Sequence, residues 1–271
     1  MKLCVLGSGS KGNSILIQAG QTRILIDAGF SPRGIKARLA AIAVDPRSIE
    51  AMIVTHEHVD HMKGVVGCAK RWDWKVYATG GTVTAAESLA GLDVYEMICG
   101  ETFSIGDFDL ATALTSHDAS EPVAVFATDR GNGARAAIVY DLGIMTEAVL
   151  SGMKGVNLLV LESNHDSEML RNGPYPAMLR RRIAGSEGHL SNYAAARVAR
   201  ECAHRQLHNV VLAHLSQVNN SAEVATQSMR AALSRTAFRG TITTASQDVP
   251  SPTIRLAGGS HSAAGQLSLG I

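Results

Sequence analysis

Aromatic residues make up only 4% of this 271-residue chain. Trp72 and Trp74 alone stand close enough to form a cluster, and the WDW triplet reads as core packing rather than a platform for stacking bases. Charge of one sign is equally scarce. The formal net charge is +1, which excludes a strongly basic protein and leaves any nucleic-acid contact to a local patch. The four cysteines, Cys4, Cys68, Cys99 and Cys202, form no CxxC pair. They read as small reduced residues, not as a disulfide framework or a thiolate metal site. No apolar run approaches the roughly 18 residues of a membrane span, and the opening MKLCVLGSGSKGNS lacks the apolar stretch of a signal peptide. A soluble, cytoplasmic protein with no membrane contact is expected.

What is present is ordered. Lys2–Leu6, Ser14–Gln18 and Arg23–Ile26 read as short strands divided by glycine turns. Pro32–Ala41 reads as a helix with Ser31 as its N-cap. Ala51–Val54 and Val76–Tyr77 read as strands, with helices expected at Met62–Trp72 and Thr82–Leu89. Four more strands are expected at Val94–Ile98, Phe108–Thr115, Val123–Thr128 and Ala136–Tyr140. The last third alternates: strands at Leu158–Leu161 and Val210–Ala213, helices around Met178–Ile183, at Asn192–His204 and at Ala222–Leu233. Strand runs wrapped by helices predict two sheets packed face to face with helices outside, an α/β fold of four αββα layers. One domain over 1–256 is expected. The Gly/Ser-rich tail 257–271 reads as poorly ordered, so its His261 is discounted as a ligand.

The densest chemistry lies in Thr55-His56-Glu57-His58-Val59-Asp60-His61, five metal-capable side chains in seven residues. His56 and His58 are two apart on extended chain, so their imidazoles face one way. Asp60 and His61 turn toward a neighbouring point. Imidazole and carboxylate without thiolate suit zinc, manganese or iron. Four ligands from one turn do not surround one tetrahedral ion, and divided between two ions they leave each underfilled. Other strand ends must contribute, and His117, Asp141 and His214 each follow a predicted strand.

With Asp27 in ILIDAG ahead of it, this pattern resembles the metallo-β-lactamase superfamily across nearly the whole chain. The resemblance implies the αββα sandwich and a site for two divalent ions, zinc or manganese. His56, His58 and His117 would hold the first ion; Asp60, His61 and His214 would hold the second; Asp141 would bridge. Asp27 would support the ligand loop by hydrogen bonding. Glu162 in LESNHD, followed by His189 in GHLSN, is similar to the tRNase Z branch. There a Glu–His pair assists phosphodiester cleavage, which would make His189 the proton donor to the leaving oxygen and Glu162 its orienting partner. A phosphodiester is anionic with a poor leaving group, so two cations, a bridging hydroxide and a proton donor suit it.

The opening LGSGSKGNS, ESNHD followed by MLRNGPYP, GHLSN and HLSQVNN look like the YycJ/WalJ-like branch. That resemblance implies a 5′-to-3′ exonuclease on DNA, with Asp60, Glu162 and His189 as the catalytic residues. A small-molecule cyclic phosphodiesterase, a thioester or lactone hydrolase and a metal-stabilised binding module are the alternatives. GSGSKGNS satisfies neither GxxxxGK[ST] nor a helix-opening GxGxxG. It reads as a tight turn between strands, with Lys11 near substrate phosphate as the other reading. Arg171 and Arg180–Arg182 form the most basic stretch, either a solvated helix face or a phosphate track. His165, His204 and His208 read as ordinary polar positions, His165 lying nearest the expected cleft. The segments around Glu162 and His189 fill the interval from Asp141 to His214, leaving no room for an inserted RNA-clamping domain.

Overall fold

Hydrophobic runs too short to pack alone assemble into two seven-stranded sheets. The computed structural model describes residues 1–257, so the tail from 258 onward, including His261, lies outside the described residues. In the first sheet, β1 (Lys2–Gly7), β2 (Ser14–Ala19) and β3 (Thr22–Ile26) form an antiparallel meander. β4 (Ala51–Ile53), β5 (Lys75–Thr79) and β6 (Val94–Met97) then add in parallel beside β3. Parallel additions need crossovers. These are α1 (Pro32–Ala41), then α2 (Val59–Met62) with α3 (Val65–Trp72), then α4 (Gly80–Ala85).

The second sheet repeats the plan. β7 (Thr102–Ile105), β8 (Phe108–Leu114), β9 (Val123–Asp129) and β10 (Arg135–Val139) are antiparallel neighbours. β11 (Leu158–Glu162), β12 (Asn209–Ala213) and β13 (Thr241–Thr244) continue in parallel. The intervening helices are α5 (Glu147–Met153), α6 (Ser167–Asn172), α7 (Ala177–Ile183), α8 (Asn192–Glu201) and α9 (Ala222–Leu233). A last strand, β14 (Ile254–Arg255), pairs with β1.

Strand alternation sorts the apolar side chains into layers. Ile24 and Ile26 point between the sheets, toward Leu110, Val125, Ile138 and Val160. Leu25 points outward, beneath Ile35 and Leu39 of α1 and Val65 of α3. On the far side Val139, Leu159 and Leu212 pack under Met153 of α5, Ala195 of α8 and Met229 of α9. The result is the expected four-layer αββα sandwich. Among the described residues no helix is long and apolar enough to cross a membrane.

Two expected helices divide. The run expected at Met62–Trp72 breaks at Gly64, whose N–H donates to Ala28 O and whose missing side chain matters: a Cβ there would lie 2.0 Å from Phe30 O. The run expected at Thr82–Leu89 starts at Gly80, ends at Ala85 and leaves a separate 3₁₀ turn at Glu87–Leu89. The strand expected to reach Tyr140 stops at Val139, freeing Tyr140 to turn its hydroxyl inward, and α8 stops at Glu201 rather than His204. β7, α5, α6, β13 and β14 were not expected from the residue pattern.

Candidate functional site

The parallel strands deliver their carboxyl ends to one rim, where ligands of open α/β sheets bind. Asp27, Asp141 and His214, just beyond β3, β10 and β12, all take left-handed backbone, with φ of 60°, 56° and 53°. Non-glycine residues adopt that region at a cost of about 1–2 kcal/mol each. The turn lifts each side chain out of its sheet and toward the same point.

Asp27 anchors the ligand loop from below. Its Oδ1 accepts from the Thr55 N–H at 2.8 Å. Its Oδ2 accepts from Thr55 Oγ1 at 2.8 Å, Tyr140 OH at 2.7 Å and His61 Nδ1 at 2.6 Å. Gly29 permits the loop to close: a Cβ there would lie 1.8 Å from Asp60 O. Asn13 completes the closure, its N–H donating to Asp60 O and its side-chain amide lying 3.2 Å from Asp60 Oδ2 and 3.0 Å from His61 Nε2.

Five imidazoles share one logic, in which one nitrogen is occupied by a protein acceptor and the other faces the cluster. Because Thr55 Oγ1 already donates to Asp27, it must accept from His56 Nδ1 at 3.1 Å, leaving His56 Nε2 bare, buried and without a partner. His58 Nε2 donates to Asp118 O and His117 Nδ1 donates to Gly188 O. Their remaining lone pairs, on His58 Nδ1 and His117 Nε2, then face each other at 3.3 Å. His61 is held through Nδ1 by Asp27, and His214 through Nδ1 by Glu162 Oε1 at 3.0 Å, leaving His214 Nε2 buried and unpartnered. Partners of this kind fix the tautomer and ring orientation of a metal-ligating histidine.

Ligand atoms within 4.8 Å of one another group as His56, His58 and His117; as Asp60, His61 and His214; as His56, His61 and Asp141; and as Asp141, Glu162, His189 and His214. Asp141 Oδ2 lies 2.9 Å from His61 Nε2 but, although buried, has no well-aligned hydrogen-bond partner. Facing lone pairs and orphaned buried nitrogens are costly unless a cation sits among them. The donor set therefore fits divalent metal, with Asp141 adjoining the neighbouring donor groups.

Charge tells the same story. Burial opposes ionisation of Asp60, Asp141 and Glu162, but neighbouring histidines hold all three carboxyls below their ordinary range. Conversely, burial disfavours the cation on His214 and His61, yet Asp141 raises His214 to about 9, and Asp27 with Asp141 raises His61 well above the usual value. His56 and His117 are pushed down, chiefly by burial. Metal binding at such a cluster displaces protons.

Glu162, at the end of β11 and fully buried, presents Oε1 to His189 Nδ1 at 2.8 Å. Its Oε2 accepts from the Leu142 and Leu190 N–H groups. A bridge between His165 and Ser191, with Asn164 N donating to Leu190 O, brings the two distant segments side by side. Burial disfavours a charged His189, but Glu162 and Asp141 outweigh it and hold the imidazolium well above the ordinary range. With Nδ1 bound, Nε2 is left for a cleft of about 280 Å³ lined by His58, Asp60, Asp141, Tyr175, Arg182 and His214.

The seven expected ligands, with Glu162 and His189, lie together at one site above Asp27. Glu57 does not join them as a ligand; its Oε1 accepts from the Ser120 N–H. The 7–14 loop is more than a turn. Ser8 Oγ accepts from the His214 N–H and donates to Asn13 Oδ1, and Ser10 lines the cleft. Asn13, Tyr140 and Asp118 were missed because their partners are remote in sequence; the only local hint was GNS itself. Arg182 spans the cleft mouth to Asp118, Nη2 to Oδ2 at 2.6 Å.

The profile of the beta-lactamase superfamily domain matches residues 22–215. Exodeoxyribonuclease YycJ of Bacillus anthracis is 34% identical over 86% of this chain and 89% of its own length. Exodeoxyribonuclease WalJ of Streptococcus pneumoniae D39 is 33% identical over 84% of this chain and 86% of its own. The crystal structure of YhfI from Bacillus subtilis, a metallo-beta-lactamase fold protein, superposes with a TM-score of 0.71 at 16% identity, covering 93% of this chain and 99% of that one. The chain belongs to the metallo-β-lactamase superfamily of metal-dependent hydrolases, in the branch of the relatives named YycJ and WalJ.

Proposed function

We propose that this protein is a two-metal phosphodiesterase acting as a 5′-to-3′ exonuclease on DNA. The observation that carries the reading is the pair of buried Glu162 and half-buried His189, 2.8 Å apart, with His189 facing the same cleft as the ligand groups. An ester with a good leaving group has less need of a held proton donor opposite the metals; a phosphodiester benefits from one. The names of the relatives YycJ and WalJ support DNA as the polymer, and the polarity follows the family resemblance.

In this reading His56, His58 and His117 hold one ion, Asp60, His61 and His214 the other, and Asp141 both; their nitrogen and oxygen donors suit zinc or manganese. When bound, the ions supply Lewis acidity toward phosphate oxygens and activate water for attack. His189 carries its proton on Nε2 toward the leaving oxygen. Glu162 keeps the ring in that tautomer and stabilises its charged form. Asp27, Thr55 and Asn13 hold the ligand loop in place.

The test is a zinc- or manganese-reconstituted assay on end-labelled DNA and RNA, beside an Asp60→Ala control. Mononucleotide release from DNA 5′ ends is expected, with His189→Ala lowering turnover by about 10²–10⁴-fold. Turnover of bis(p-nitrophenyl) phosphate and cyclic phosphates without action on polymers would replace the nuclease with a small-molecule phosphodiesterase, for which the modest cleft volume also provides room. A loss below roughly tenfold in His189→Ala would remove the proton-donor role.

A further inference from the structure

Helix α7 has two working faces. Leu179, Arg182 and Ile183 line the metal cleft. Ala177, Arg180, Arg181 and Ala184, at spacings of three and four, line a separate cavity of about 410 Å³ on the other side. That volume lies within the ~300–1,000 Å³ of small-molecule pockets. α6 closes it with Leu170 and Arg171, and the loop after β11 contributes His165. The floor is apolar, because Ala177 and Ala184 leave flat surface beside buried Leu170. Three guanidiniums stand at the rim.

Those arginines have little else to neutralise them. Arg181 has no ion-pair partner among the described residues, and Arg171 meets only Glu168, in an exposed pair 3.3 Å apart. Arg180 donates to the Arg171 carbonyl rather than to a carboxylate. His165 is 3% exposed, yet its Nδ1 has no hydrogen-bond partner. A cationic rim over an apolar floor suits a ligand with a planar apolar part and an anionic part.

We infer that this cavity is a nucleotide subsite, taking one nucleotide of the substrate strand with its base on the Ala177–Leu170–Ala184 floor and its phosphate on Arg180 and Arg181. Guanidinium planes also stack on bases, which lets such a site accept any of them. A helix with its side chains is about 10–12 Å across. The nucleotide held here is therefore not the one at the scissile bond but one farther along the strand, which crosses α7 to reach the metals. The subsite rests on the polymer reading above and gives it a length requirement: a dinucleotide cannot fill the cleft and the cavity together.

Two full-length variants test it, Arg180→Ala/Arg181→Ala, which removes the rim charge, and Ala177→Trp, which fills the floor with the charge retained. The ratio of kcat/KM on a single-stranded oligonucleotide to that on a dinucleotide is expected to fall roughly tenfold or more in both. Salt dependence on the oligonucleotide should become shallower by about 0.7 per lost phosphate contact in the arginine variant only. In an Asp60→Ala background, calorimetric affinity for deoxyadenosine 5′-monophosphate should drop roughly tenfold when the arginines are removed. Polymer cleavage with an unchanged ratio and unchanged nucleotide affinity overturns the subsite and leaves the nuclease reading standing. Arginine-dependent nucleotide binding in a protein that cleaves no polymer does the reverse.

Discussion

On one wall of the cleft, the 55–61 loop is tied from beneath by three hydrogen bonds to buried Asp27, which Tyr140 also holds, and from the side by Asn13 and the space left at Gly29. On the opposite wall, α7 has no buried residue, Met178 is largely exposed, and the helix borders solvent-filled space on two sides. Both walls carry charge into the same site, by opposite means. The first spends its polar groups on each other until only metal-facing atoms are left. The second pairs only Arg182, with Asp118, and leaves Arg180 and Arg181 without a carboxylate partner among the described residues. A metal cage demands atoms fixed to fractions of an ångström, whereas the proposed strand-binding face would have to accept any base.

Breaking the rigid wall should cost most. Asp27→Ala strips a buried acceptor from Thr55, His61 and Tyr140, and about 3–5 kcal/mol of stability should be lost, since partners of a buried charge are stranded without it. Chemical denaturation reads the stability, and elemental analysis should show metal content reduced in the same variant. An unchanged midpoint with full metal loading would mean that the loop holds itself.

Glu162→Gln sharpens the comparison at the seam between the walls. Glu162 is the main influence raising His189, while burial opposes it, so the amide should lower the His189 pKa. Activity that needs His189 protonated is present below that pKa and lost as pH rises through it. The alkaline limb of the kcat/KM profile should therefore move to lower pH in Glu162→Gln, with nearby bound cations pushing the same way in both proteins. The carboxylate's own share has the other sign. Glu162 is held below its usual range, so its stabilisation is full above that range and disappears as pH falls through its lowered value. An alkaline limb that stays in place would remove His189 as the titrating acid.

The smallest effect belongs to the open wall. Arg182→Ala breaks an exposed pair with Asp118, and stability should fall by less than about 1 kcal/mol on thermal or chemical unfolding. A loss comparable to that of Asp27→Ala would show that α7 is as rigidly built as the ligand loop.

Much of the rigid wall was legible because its signals are local. HxHxDH crowds ligands into one turn, and Asp141 and His214 each end an apolar run that reads as a strand. Asn13, Tyr140 and Asp118 were not legible, since each earns its place through a partner dozens of residues away that no spacing rule connects. The short helices α5 and α6 escaped notice because their starts depend on side-chain caps from Thr146 and Asp166, not on a long amphipathic stripe. The arginine run offered two readings, and the helix geometry divides it: Arg180 and Arg181 line one cavity while Arg182 lines the other.

The left-handed residues Asp27, Asp141 and His214 carry a consequence for anyone wishing to engineer a sturdier enzyme. Glycine at these positions would relieve the backbone, and each such gain would delete the group the position exists to present. Asparagine tolerates the same backbone in place of the aspartates, but it cannot supply their charge. The scaffold is least comfortable where it is most useful, and the way to a more stable variant lies through every other residue first.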